Sequence, residues 1–150
     1  MAEGWASSCD FRIEGLEELE RDLTKAVKRC PAQARETLKD LGNDFKKSAK
    51  KRAKADLKSH KRKEGQEKKA ISKKWGSKVV DESVGMTALV YNSARHFHLA
   101  ELGHQLIKNG QVVGFVEGKH IMKKTRDQYE NIVPERFEEM IDDILKGCNL

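Results

Sequence analysis

The spacing of apolar residues changes period twice along this chain, and each change limits what can form there. Leu16, Leu19, Leu23, Ala26, Val27 and Cys30 recur at steps of three and four, as do Ala34, Leu38, Leu41 and Phe45. Such steps line one face of a helix. Beyond Trp75 the period falls to two: Val84, Met86, Ala88 and Val90 alternate with Gly85, Thr87, Leu89 and Tyr91, the pattern of a strand. From Ile121 through Met122, Thr125, Tyr129, Ile132, Val133, Phe137, Met140, Ile141, Ile144 and Leu145 the helical rhythm returns. Helix, strand and helix in this order predict an α+β fold, in which long N-terminal helices and a C-terminal amphipathic helix pack on a small, mostly antiparallel sheet of three to five strands.

Local signals place the boundaries. Glu14, Glu17, Glu18 and Glu20 crowd the start of the first stretch and Lys25, Lys28 and Arg29 its end, an order that complements a helix dipole. Pro31 then suits the first turn of a second helix, where its missing N–H costs nothing. That helix is expected to continue on Ala, Lys and Arg propensity toward about His60, with a loop over 61–67. A strand near Trp75–Val80 pairs with the next through a turn at Asp81-Glu82-Ser83. A short helix over Ser93–Leu102 stops at Gly103, where glycine accepts a left-handed backbone. Asn109-Gly110 between Leu106-Ile107-Lys108 and Gln111-Val112-Val113 is a hairpin signal. Pro134 should kink or split the last helix near Val133, and Gly147 should stop it.

The 150 residues, 37% hydrophobic and 36% charged, allow a single domain over 1–150 with a lean core. Such a balance suits two-faced helices, or a subunit that completes its burial against copies of itself. No apolar run approaches the roughly 18–20 residues of a membrane span, and Met1–Cys9 lacks the basic-then-apolar order of a secretory signal. Cys9, Cys30 and Cys148 are odd in number and far apart, so reduced thiols are expected, not a disulfide framework or zinc site. Trp5 and Phe11 are read as anchors of the N-terminus.

Charge is unevenly distributed. From Lys46 to Lys74 fourteen Lys and Arg face three acids, a local excess of +11 against −5 for the rest of the chain. After Phe45 this segment has only Leu57 as a large aliphatic residue up to Ile71, so its far end has little to bury. It is expected to project from the body or to lack order in the isolated subunit. Clustered cations release counterions from nucleic acid, which makes Lys46, Lys47, Lys50, Lys51, Arg52, Lys54, Lys58, Lys61, Arg62 and Lys63 candidates for DNA or acidic-partner contact. Without interleaved aromatics, base stacking is not indicated. The bland alternative is a solvated helix face.

Catalytic chemistry finds no foothold. GxSxG, GxGxxG and GxxxxGK[ST] are absent from the sequence, and no cysteine sits in a catalytic context. His96, His98, Glu101, His104 and His120 could suggest a metal, but His96 and His98 are two apart and face different sides of a helix. The segment HLAELGH is not HExxH. Neither a metal nor a cofactor is expected, and the histidines read as surface or interface residues.

Read in order, several segments resemble the head–tail joining (neck, or minor tail-component) family of long-tailed siphophages and their prophage relatives. Phe11-Arg-Ile-Glu-Gly-Leu-Glu-Glu-Leu19 is similar to the family's opening strand and G-L-x-x-L helix, followed by a Lys/Ala-rich helix as here through Lys54. At the place of its Thr-Gly-x-Leu-x-x-Ser-Ile motif this chain has Glu64-Gly65-Gln66-Glu67-Lys68-Lys69-Ala70-Ile71, in which Gly65 and Ile71 fit and the Thr, Leu and Ser positions depart. Val90-Tyr91-Asn92 leading into His98-Leu-Ala-Glu101-Leu-Gly103-His104 resembles a strand followed by h-x-x-E-x-G-h. Gly118-Lys119-His120-Ile121-Met122 resembles the family's x-G-x-x-f-l ending.

The resemblance spans roughly 11–146. It implies a non-enzymatic virion component, present in the host cytoplasm during assembly, that forms a homo-oligomer, in all expectation a ring. Other connector or tail proteins would be its partners and no membrane is involved. It also implies a structural signature at Gly65, Glu101, Gly103, His104 and Gly118, with Glu101 capping or pairing locally. The competing reading is a nonspecific nucleic-acid-binding protein that uses 46–74.

Overall fold

The computed structural model describes residues 15–57 and 71–148. The expectations for Cys9, Trp5, Phe11, the loop at 61–67, Gly65 and the cations Lys58, Lys61, Arg62 and Lys63 therefore lie outside the described residues.

The architecture is α+β, built on one long helix. Helix α1 runs Leu16–Asp56, 41 residues, about 60 Å at 1.5 Å per residue. The sequence predicts two helices divided at Pro31. Instead Pro31 is inside α1, on its exposed side. Proline there removes one backbone hydrogen bond, to the carbonyl of Val27, at a cost of about 3 kcal/mol. Val27 is 71% exposed, so this stretch of α1 faces solvent. Local pairs such as Lys25–Asp22 and Lys47–Asp44 add a few tenths of a kcal/mol each.

After a short 3-10 turn at Ile71–Lys73 come β1, Trp75–Glu82, and β2, Gly85–Asn92. They pair antiparallel with Trp75 opposite Asn92 and Glu82 opposite Gly85, so the turn is Ser83-Val84, one or two residues later than the sequence suggests. Helix α2, Phe97–Leu102, is shorter than expected and ends at Gly103, whose φ is +88°. Strands β3, Gly103–Lys108, and β4, Gln111–Glu117, form a second hairpin. Its turn is Asn109-Gly110 with φ of 52° and 80°, two left-handed residues as a type I′ turn requires. A register shift between Leu106 and Ile107 puts an extra residue in β4. Helix α3, Ile121–Tyr129, and helix α4, Ile132–Lys146, complete the chain. The break falls at Glu130-Asn131, which places Pro134 in the first turn of α4, where proline is tolerated.

The four strands among the described residues do not form one sheet; they form two separate two-stranded ribbons. The first lies across the middle of α1. A Cβ on the buried Gly42 would sit 3.8 Å from both Ala88 Cβ and Ser77 Cβ, so the helix approaches the ribbon at its smallest residue. Lys46 Nζ donates to Asn43 Oδ1 at 2.9 Å and Ser77 Oγ at 3.0 Å, and Ser77 Oγ donates to Asn43 Oδ1 at 2.9 Å. An exposed Arg35–Asp81 ion pair closes the other side.

Helix α3 packs on the C-terminal part of α1. Ala49, Ala53, Ile121 and Thr125 are 0% exposed, the Phe45 and Tyr129 rings meet at 5.2 Å, and Ser48 Oγ and Tyr129 Oη share a hydrogen bond of 3.0 Å. Helix α4 runs back along α1 until Ala26, Ile144 and Cys148 close a small cluster with Met140. There Arg29 donates to the Gly147 carbonyl at 2.9 Å.

These contacts alter two expectations about α1. From Lys46 to Asp56 the basic helix is packed on α3, where Ala49 and Ala53 are fully buried and allow close approach without bulky side chains; the far end of the basic segment, where projection is expected, lies outside the described residues. The apolar stripe of the first turns, by contrast, is bare. Leu16, Leu19, Leu23 and Val27 are all exposed, and Leu16–Lys25 extends past the point where α4 ends.

Candidate assembly surfaces and the joint that holds them

The β3–β4 hairpin leaves and re-enters the body at one joint, assembled from backbone first. Lys119 N–H donates to the Ala100 carbonyl at 2.8 Å and His120 N–H to the Glu101 carbonyl at 3.2 Å, so the segment after β4 lies alongside the last turn of α2. Gly103 and Gly118 face each other across this crossing. A Cβ on Gly103 would meet the Val116 carbonyl oxygen, Gly118 N at 2.8 Å and Phe115 Cζ at 2.9 Å. One on Gly118 would meet the Glu101 carbonyl oxygen and Leu102 C at 2.6 Å. Backbone cannot move aside as a flexible side chain can. Both positions require glycine, and Gly103 requires it a second time for its positive φ.

Glu101 fastens the joint to α3. Its carboxylate accepts from Met122 N–H at 3.0 and 3.1 Å and from Lys123 N–H at 3.2 Å. These are two of the first three amides of α3, which have no partner within the helix. The residue at the cap position, His120, has φ of 51° and no capping bond of its own, so the cap comes from Glu101, 21 positions before Met122. A carboxylate at a helix N-terminus also meets the positive end of the dipole. His104 pairs with Val116 at the hairpin base; its Nδ1 is buried without a hydrogen-bond partner among the described residues. Glu101, Gly103, His104 and Gly118 are therefore brought together, although thirteen residues separate His104 from Gly118.

What the joint holds out is an apolar ribbon. Every residue of β4 is exposed, with Ile107 63%, Val112 60% and Phe115 63% accessible. The register puts these three on one face and Leu106 and Val116 on the other. Sequence reasoning located this hairpin but not its exposure. The signal was available: β3 and β4 carry apolar residues on both faces, which no single core can cover.

The basic candidates divide. Lys46 is half-buried and bonded to Asn43 and Ser77, and Arg52 donates to Gln128 Oε1 at 3.2 Å; both are structural. Lys47, Lys50, Lys51 and Lys54 are exposed at helical spacing, with Lys47 paired to Asp44 at 3.1 Å. A groove of about 560 Å³ between α1 and α4 is lined by Glu36, Asp40, Asp44, Lys47, Arg136 and Asp143 among others. That lining is mostly charged and polar. Among the described residues no group of three or more His, Cys, Asp or Glu is placed to hold a metal ion, and no helix is long and apolar enough to cross a membrane.

Comparison with known proteins adds one finding. Residues 17–103 match the family described as "Bacteriophage HK97-gp10, putative tail-component". The chain belongs to this HK97-gp10-like family. The match covers α1, the β1–β2 ribbon and α2, and ends on Gly103, so Glu101 falls inside it. No curated protein and no solved structure matches.

Proposed function

We propose that this HK97-gp10-like chain is a non-catalytic structural component of a phage virion, acting at the junction of head and tail as a neck or tail-completion subunit. Family membership supports the phage tail role. The observation that carries the assembly reading is the surplus of uncovered apolar surface: a rigidly rooted hairpin bare on both faces, and a helix end with Leu16, Leu19, Leu23 and Val27 in solvent. Contiguous exposed apolar surface of this kind marks sites of protein–protein contact. In this reading Glu101, Gly103, His104 and Gly118 serve as structural residues that set the hairpin's direction, and Gly65 belongs to the same structural signature. The protein works as a homo-oligomer, in a ring, beside other connector or tail proteins.

The test is assembly in the phage itself. Removing this chain should leave filled heads and unjoined tails in the lysate, and purified protein should restore joining in vitro. Normal, infectious particles in its absence would refute the proposal.

A second reading has one observation in its favour. Lys47, Lys50, Lys51 and Lys54 are exposed at steps of three and four on one side of α1, a row of cations suited to phosphate. Nonspecific DNA binding by this row would weaken steeply with salt, the slope falling by roughly one for each lysine replaced. Binding that is absent at low salt would remove this reading and leave the first intact.

A further inference from the structure

Two bare apolar surfaces in one chain raise the question of whether they cover each other. Within a single molecule they cannot. Tyr129 meets Phe45 and Ser48, while Gln128 meets Arg52, so α3 runs antiparallel to α1 and its first residues lie toward Asp56. The hairpin is rooted there, on Glu101 and Gly118. Leu19 is therefore some 40 Å or more away along α1 at 1.5 Å per residue, whereas strands of this length reach about 20 Å.

Between molecules the two surfaces fit in size and charge. Leu16 to Val27 spans about 16 Å of helix, close to the length of the hairpin strands. Glu17, Glu18 and Glu20 flank the stripe, and the hairpin tip carries Lys108 with no acid before Glu117 at its base. On the docking faces Ile107, Val112 and Phe115 are 60–63% exposed and Leu16, Leu19 and Leu23 45–55%, bare apolar surface of the kind that marks protein–protein contact. A two-stranded hairpin is marginal in water by itself, and this one is held out by a joint that admits no Cβ.

Resting on the assembly reading above, we infer that the Ile107–Val112–Phe115 face of the hairpin docks on the Leu16–Leu19–Leu23 stripe of a second copy of this chain. The contact is heterologous, since a different patch is used on each molecule. Repeated from copy to copy, it closes into a ring or continues as a filament.

Such a contact has a signature that a symmetric dimer lacks. Phe115→Asp disables the hairpin only and Leu23→Asp the helix end only; both positions are exposed, and the fold of each variant is checked by far-ultraviolet circular dichroism. Mass is measured by sedimentation over a concentration series. Wild type should grow beyond a dimer, and each variant alone should be monomeric, its association weakened at least tenfold. A one-to-one mixture should form a dimer and nothing larger, because one sound hairpin then meets one sound stripe. A mixture that stays monomeric, or a variant that assembles as wild type does, overturns the docking while leaving the assembly reading in place. Wild type that stays monomeric throughout overturns both.

Discussion

The two β-hairpins are alike in length, pairing and apolar content, yet they have opposite surroundings. β1–β2 lies across α1 at Gly42 and is tied to it through Asn43, Lys46 and Ser77. β3–β4 has α2 and the glycine joint at its base, and solvent on both faces. One ribbon is finished by its own chain, whereas the other is presented. The same division runs along α1, whose middle and C-terminal parts are covered by β1–β2 and α3 and whose first turns are bare. Stability and assembly are thus assigned to different parts of the molecule, and substitutions should separate them.

The largest effect on folding should come from the joint. Gly118→Ala drives a Cβ into the Glu101 carbonyl, and a loss of about 2–4 kcal/mol is expected, read as a lowered denaturation midpoint. An unchanged midpoint would mean that the joint is looser than its geometry. On the covered side, Ala49→Leu overpacks the α1–α3 contact and should cost about 1–3 kcal/mol. Glu101→Ala should remove about 1–2 kcal/mol as a lost helix cap, with hydrogen exchange accelerated first at Met122 and Lys123. In the presented ribbon, Phe115→Ser should leave monomer stability within about 0.5 kcal/mol while weakening self-association. Comparable losses in both properties would erase the distinction between the hairpins.

The smallest effect concerns pH. The hydrogen bond and charge of Arg35 hold the Asp81 carboxyl below its ordinary range. The sign follows: the pair's contribution is complete above the unfolded-state value and fades as pH falls through the lower folded one. Because both groups are exposed, solvent screens the pair, and Asp81→Asn should leave the neutral-pH melting temperature unresolved from wild type.

The element types and most boundaries were legible in the sequence because they are local. A period of three and four needs only neighbours along the chain, and so do the Asn109-Gly110 turn and the stop at Gly103. What covers an apolar face is not local. The stripe from Leu16 to Val27 is as regular as any in the chain and faces water, whereas 46–56, with no large aliphatic residue, is packed because Ala49 and Ala53 bury by closeness, not bulk. Pro31 misled for a related reason: helix continuity there is set by the whole of α1, not by the residues next to the proline. Of the residues implied by the family resemblance, Glu101, Gly103 and Gly118 could be singled out but not joined. Their partnership depends on the hairpin that brings Gly118 back beside α2.

The most direct test of this division is amide hydrogen exchange of the two ribbons as protein concentration is raised. In dilute solution β1–β2 should already be protected and β3–β4 should exchange rapidly, with protection of β3–β4 appearing only as copies associate. A β3–β4 ribbon as protected as β1–β2 in the dilute monomer would contradict the account.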